Sequence, residues 1–333
     1  MAFRSVQAPP DAAAFARISS SRSPQAAIAA FAGGALPHTI LSCCQGTLLE
    51  LFSTSAVLPL RATCRDAVAA VAAHPWDDLE TVIRGNVGPA LLPPGPRTQK
   101  GAWRGCFPRA RGANVGEFDK YWNPGHGRHT AVLGADFVHL VGLRRLNMSC
   151  CKAVTDADFK ALAGLQSLNI SGCCPTITDA AFVHLAGIQS LNMSGCDQPT
   201  ITDAAFVHLA GIQSLSMSCC CQYTITDAAF APLAGIQSLD MSGCWQVTIT
   251  DAAFAHLAGI QSLNMSGCGQ ATITDAAFAP LVGIQSLVMI GCRQVTITDA
   301  AFAPLAGIQS LHTSDCNQEI QAAAARALAS PAR

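Results

Sequence analysis

Cysteine is the residue type whose number and spacing in this chain most suggest chemistry. Eight of the 16 cysteines, Cys151, Cys173, Cys196, Cys220, Cys244, Cys268, Cys292 and Cys316, recur at one position of a repeated motif. Zinc would need four ligands converging at about 2.3 Å on one point. Equivalent side chains on stacked strands instead form a line with a step of about 4.8 Å. A line of thiols is expected to be buried and inert, each thiol acting as a small hydrophobe. Cys43-Cys44 and Cys219-Cys220-Cys221 lack the two-residue spacer of a thioredoxin-like motif. Cys219 and Cys221 are expected to flank the buried Cys220 on a strand, with exposed and oxidisable thiols.

Histidine offers less. His139, His184, His208 and His256 share one position in their units, but Pro232, Pro280 and Pro304 stand there in other copies. A ligand set does not tolerate such replacement, so solvated side chains are expected. Cys106 lies near His126 and His129 with no second cysteine beside it, which is a poor zinc set. Asn147, Asn169, Asn192 and Asn264 match the glycosylation acceptor, as a by-product of alternating polar and apolar residues. No nucleophile–base pair, phosphate loop or paired carboxylates recur at usable spacing. The expectation is a non-catalytic binding protein with no cofactor and no metal.

The elements that position these residues follow from an internal repeat. Ile188-Gln189-Ser190-Leu191-Asn192-Met193-Ser194-Gly195-Cys196 recurs unchanged from Ile260 to Cys268, and the eight copies are spaced by 22, 23 and then 24 residues. A period of roughly 20 to 29 residues with this leucine spacing is the leucine-rich-repeat signature. Leu191 and Met193 alternate with Asn192 and Ser194, which predicts a short strand with the apolar pair inward. Thr202 suits a helix cap, Asp203 the positive end of the helix dipole, and Gly211 the stop. Between them Ala205, Phe206 and Leu209 make one apolar face. Each proline at 232, 280 and 304 removes a backbone donor, which predicts helices of one or two turns, partly 3₁₀.

The fold class is therefore α/β: a solenoid with a parallel β-sheet on its concave face and short helices outside. Such an array needs capped ends. Residues 131–142 read as a worn first helix unit, and 319–333 as a C-terminal capping helix or a tail.

The order strand, Cys, Ile-Thr-Asp, short helix, Leu-Ala-Gly resembles the cysteine-containing class of leucine-rich repeats over about 131–318. In that class the cysteine lies buried beside backbone groups, and an F-box commonly precedes the repeats. Residues 33–82 resemble an F-box, a small helical domain: Leu36-Pro37 opens it, Leu48-Leu49-Glu50-Leu51-Phe52 is apolar, Cys64-Arg65 follows, and Trp76 precedes Leu79. The segment departs from that pattern at Ala67 and in having no acidic residue soon after Pro37. The resemblance implies that Leu36, Pro37, Ile40, Leu41, Leu58 and Cys64 bind a Skp-family adaptor. The solenoid would then hold an unknown protein substrate for a Skp/cullin-type ubiquitin ligase. The alternative is a repeat scaffold for protein–protein interaction with no ligase role, in which 33–82 is a helical cap.

Composition bounds the remaining possibilities. Half of the 333 residues are apolar, 12% are charged, and 20 basic against 21 acidic residues leave a net charge of -1. That excludes a disordered chain and gives no global field toward nucleic acid or membrane, so neither is expected as a partner. The longest uncharged run, 23–49, is broken by Gly33, Gly34, Pro37, His38 and Gln45, short of the roughly 18 to 20 apolar residues of a span. Residues 1–32 read as a disordered tail, with an organellar transit peptide as the other reading. The expected location is cytoplasmic or nuclear. Residues 83–130 read as a Pro/Gly-rich basic linker, with 7 basic and 2 acidic residues over 85–130. The stretch 131–316 has 5 basic and 12 acidic residues, and the recurrent helix-start aspartates account for seven of those acids.

Specificity is expected where near-identical copies differ, although drift would leave the same pattern. One column of the sheet supplies Asn192, Ser216, Asp240, Asn264 and His312. A second, just past the cysteine, supplies Trp245 and Arg293, with Tyr223 nearby. Aromatic residues and arginine are the types enriched among interface anchors.

Overall fold

The computed structural model describes residues 73, 104, 108–115, 134–172 and 176–329. The adaptor residues Leu36, Pro37, Ile40, Leu41, Leu58 and Cys64, the stretch 1–32, and Cys173 and Cys174 lie outside the described residues.

Among the described residues, nine strands form one parallel sheet in chain order. They are β1 (Gly112–Asn114), β2 (Arg145–Asn147), β3 (Ser167–Asn169), β4 (Ser190–Asn192), β5 (Ser214–Ser216), β6 (Ser238–Asp240), β7 (Ser262–Asn264), β8 (Ser286–Val288) and β9 (Ser310–His312). Register is matched throughout, so Leu191 lies opposite Leu168 and Leu215, and Asn192 opposite Asn169 and Ser216. Leu191 and Met193 are buried, whereas Ser190 and Asn192 are half-buried on the other face, as the period of two requires. The ladder runs on beyond the strand, with the Met193 and Gly195 N–H groups donating to Ser216 O and Ser218 O at 2.8 Å.

Short helices return the chain. α1 (Asp156–Phe159), α2 (Asp179–Phe182), α3 (Asp203–Phe206) and α4 (Asp251–Phe254) are single turns, each continued by three residues of 3₁₀ helix. The three proline copies, Asp227–Leu233, Asp275–Leu281 and Asp299–Leu305, are 3₁₀ throughout. Proline has no N–H to donate at the position that His184, His208 and His256 hold in the other copies, which keep one α turn ahead of it. Phe137, Phe159, Phe182, Phe206, Phe230, Phe254, Phe278 and Phe302 are buried along the helical side, one per unit. The rings of Phe278 and Phe302 lie 6.2 Å apart, tilted by 34°. One strand and one short helix per 22 to 24 residues, in a continuous parallel sheet, make this a leucine-rich-repeat solenoid.

At the far end α5 (Gln318–Ala329) buries Ile320, Ala323, Ala324 and Ala327, one stripe at helical spacing. The near end corrects an expectation. Part of the 83–130 stretch, read as a linker, supplies β1, which pairs with β2 through Gly112, Ala113 and Asn114. Ala110, Ala113 and Val115 are buried where the next unit places Leu143, Leu146 and Met148. The alternation is kept, but the residues are too small to announce a strand. The Arg104 guanidinium fastens this end by donating to Ala110 O at 2.9 Å and Val141 O at 2.6 Å. Among the described residues no helix is long and apolar enough to cross a membrane.

Candidate protein-binding face

The joints between units decide which side chains are left to face outward. Each described cysteine of the column turns its thiol to the carbonyl of an earlier unit. Cys220 Sγ donates to Met193 O at 3.2 Å, Cys244 to Met217 O at 3.1 Å, and Cys316 to Met289 O at 2.9 Å. Burial pushes these thiols up, Cys292 to about 12, and raises Cys220, Cys244 and Cys268 likewise. They stay protonated and act as donors, so they are neither nucleophiles nor ready metal ligands. Among the described residues no group of three or more His, Cys, Asp and Glu is placed to hold a metal ion.

Three further ladders are not announced by the sequence pattern. Gln198, Gln222, Gln246, Gln270 and Gln294, each two residues past a column cysteine, are buried. Gln222, Gln246 and Gln270 donate through Nε2 to the carbonyls of Cys196, Cys220 and Cys244 at 3.1 to 3.2 Å. Their recurrence in every unit from Cys196 onward is the signal the sequence offers. The aspartates do more than meet a helix dipole. Asp203 accepts from the Thr226 N–H and O–H of the next unit, both at 2.7 Å, and Asp227 holds Thr250 in the same way. The first threonine of each Thr-Ile-Thr donates to a carbonyl one unit back, Thr176 to Val154 O at 2.6 Å and the later ones to isoleucine, as Thr248 does to Ile225 O at 2.7 Å.

The eight residues expected to carry specificity fall into two rows. Asn192, Ser216, Asp240, Asn264 and His312 end their strands, the first four half-buried and His312 exposed. Asn192 Oδ1 accepts from the Ser194 N–H at 3.0 Å and the Ser194 O–H at 2.7 Å, and Asn264 repeats this with Ser266. Asp240 Oδ1 accepts from the Ser242 N–H at 3.0 Å. These side chains first of all shape the exit from the strand. Ser216 Oγ lies 2.8 Å from Ser194 Oγ, and His312 Nε2 3.2 Å from Ser310 Oγ.

The other row lies in the loops past the cysteine, not in the strands. Tyr223 is 61% and Trp245 57% exposed, and Val247, two residues on from Trp245, is 58% exposed. Arg293 is exposed as well and donates through Nε to Asp315 O at 3.1 Å. Cys219 is exposed but not in a strand: it takes φ 57° in the left-handed turn where other units have glycine. Cys221 is half-buried against Trp245, its thiol donating to Gly243 O at 3.0 Å. Burial, and then the neighbouring Cys219 and Asp197, pushes the Cys221 thiol up. Asp197, Cys221 and Trp245 thus occupy one position in three successive loops.

No family model and no curated protein matches the sequence. Among solved structures the chain is similar to the TLR13–ssRNA13 complex, at 20% identity and TM-score 0.49 over 63% of this chain and 33% of that one. It is similar to internalin C2 from Listeria monocytogenes at 22% identity and TM-score 0.42, over 59% of this chain and 81% of that one. For the Rad7 and Elc1 complex of yeast the identity is 17% and the TM-score 0.41, over 66% and 68% of the two chains. The chain spans about a third of the length of the first of these, 33%.

Proposed function

We propose that this solenoid is a non-catalytic protein-binding subunit, and that it serves as the substrate receptor of a Skp/cullin-type ubiquitin ligase. The observation that carries the binding part is the contrast between joints and loops. From Cys196 to Gln294, Cys, Gln, Thr and Asp repeat unchanged where units meet, while the loop row varies through Asp197, Cys221, Trp245, Gly269 and Arg293. Tyr223 and Trp245 place large aromatic surface in water, the residue types that anchor protein interfaces. The ligase part rests on the resemblance of Leu36-Pro37 and Cys64-Arg65 to an F-box ahead of cysteine-type repeats. In this reading the receptor performs no chemistry and raises the effective concentration of a bound protein near the ligase.

The test is an adaptor-binding assay on the full chain, run beside circular dichroism. Replacing Leu36, Ile40 and Leu41 by polar residues abolishes adaptor binding and leaves the repeat spectrum unchanged, because distant units contact only their neighbours. Absence of adaptor binding by the unaltered chain replaces the ligase role with that of a scaffold.

A further inference from the structure

Charge is distributed unevenly along the solenoid. No lysine or arginine occurs between Lys160 and Arg293, whereas Asp179, Asp197, Asp203, Asp227, Asp240, Asp251 and Asp275 fall in that interval. Five of these carboxylates are held by threonines of the next unit, with both oxygens accepting. The remaining two, Asp197 and Asp240, lie on the side of the loops and strand ends. Asp197 is exposed one loop before Cys221 and two before Trp245, close enough to act on the Cys221 thiol. The same loops carry the exposed Tyr223, Trp245 and Val247. An aromatic surface of this kind, with the nearest cation of its row, Arg293, two loops on and donating to Asp315 O, matches a particular partner chemistry. A cation stacks on an indole face, and a nearby carboxylate adds to its attraction.

Resting on the protein-binding reading above, we propose that the Tyr223–Trp245–Val247 loop row, flanked by Asp197, docks an arginine- or lysine-bearing segment of the partner protein. The cationic head lies over Trp245, and its aliphatic stem covers Val247 and the edge of Tyr223. An acidic segment is repelled, and an uncharged one lacks the central contact.

Fluorescence anisotropy with the full chain and three labelled, blocked octapeptides tests this. One alternates arginine with serine, one alternates glutamate with serine, and one is all serine. The arginine peptide binds measurably and the other two do not. Trp245→Ala weakens it by about tenfold, the loss expected for a desolvated cation–π contact, and Trp245→Phe restores part of the loss. Asp197→Asn weakens it by a smaller factor, whereas Asp158→Asn, half-buried in the first turn of α1 and outside the loop row, leaves it unchanged. That last control separates a docking row from general attraction to an acidic protein. Circular dichroism of each variant confirms the fold. No binding by the arginine peptide, equal binding of all three peptides, or indifference to Trp245→Ala overturns the proposal. Adaptor binding, assayed separately, is untouched by these outcomes, so failure here is distinct from failure of the ligase reading.

Discussion

Arg326 of the closing helix pairs through its guanidinium with Asp299, the one helix-start aspartate with no threonine after it. Six earlier aspartates receive a threonine from the next unit, as Asp275 receives the N–H and O–H of Thr298 at 2.6 Å. The cap engages the same acceptor as the internal joints, with a different donor.

That pair steers α5 more than it stabilises it. Its side chains are 61% and 65% exposed, so Arg326→Ala costs under about 1 kcal/mol. Ile320 is fully buried, and Ile320→Ala costs about 2 to 4 kcal/mol. Urea melts of the two variants give this order. Deletion of 319–333 uncovers the last apolar layer, lowering the melting midpoint and raising light scattering. A truncated chain that melts with the intact one would make this segment a tail.

The internal clamp is predicted to be stronger. Asp227→Ala leaves the half-buried Thr250 N–H and O–H without their acceptor and costs about 1 to 3 kcal/mol. Asp227→Asn keeps one oxygen for the N–H and loses less. Faster hydrogen exchange at the Thr250 amide, ahead of amides two units away, is the local signature.

Among the described cysteines a thiol reagent at neutral pH labels Cys219 first, and the buried column reacts only when denaturant is added. The same thiols set an alkaline limit. Cys292 moves from 9.0 to about 12 on folding, so above pH 9 the unfolded chain binds fewer protons than the folded one. Its contribution is complete below about pH 9 and is lost as pH rises toward 12, with a slope of up to about 1.4 kcal/mol per pH unit for one thiol. A melting midpoint that holds steady from pH 9 to 11 would contradict this.

Gly243 and Cys219 share the left-handed turn position in adjacent units, at φ 70° and 57°. A Cβ on Gly243 would stand 3.1 Å from Cys219 Sγ. Gly243→Ala therefore destabilises by about 1 to 2 kcal/mol through both crowding and backbone strain. In a Cys219→Gly background the crowding share disappears, and the difference between the two backgrounds measures it.

The repeat frame was legible because its signals are local: Leu191 and Met193 alternate with polar residues, Thr202 caps, and Gly211 stops. The expected burial of the cysteines also holds at Cys220, Cys244 and Cys268. What the sequence hid has its partner a unit away. Asp203 was explained by the helix it begins, although its oxygens serve Thr226. Gln246 stands past the strand among variable loop residues, although its amide reaches Cys220 O. β1 was hidden because Ala113 fills the place of a leucine. Trp245 was placed on the sheet, but the chain has already turned at Gly243 before reaching it.

Because the middle steps of the array use the same Cys–Met, Gln–Cys and Thr–Asp partners, a joint there carries no serial number. A whole unit of 24 residues can be gained or lost by unequal exchange between gene copies, and both neighbours find the contacts they had before. Each such event between β1 and Trp245 shifts Trp245 relative to β1 by one strand spacing, about 4.8 Å. The distance from the first strand to the aromatic loops is thus adjustable in fixed increments, by a genetic accident that the packing does not resist.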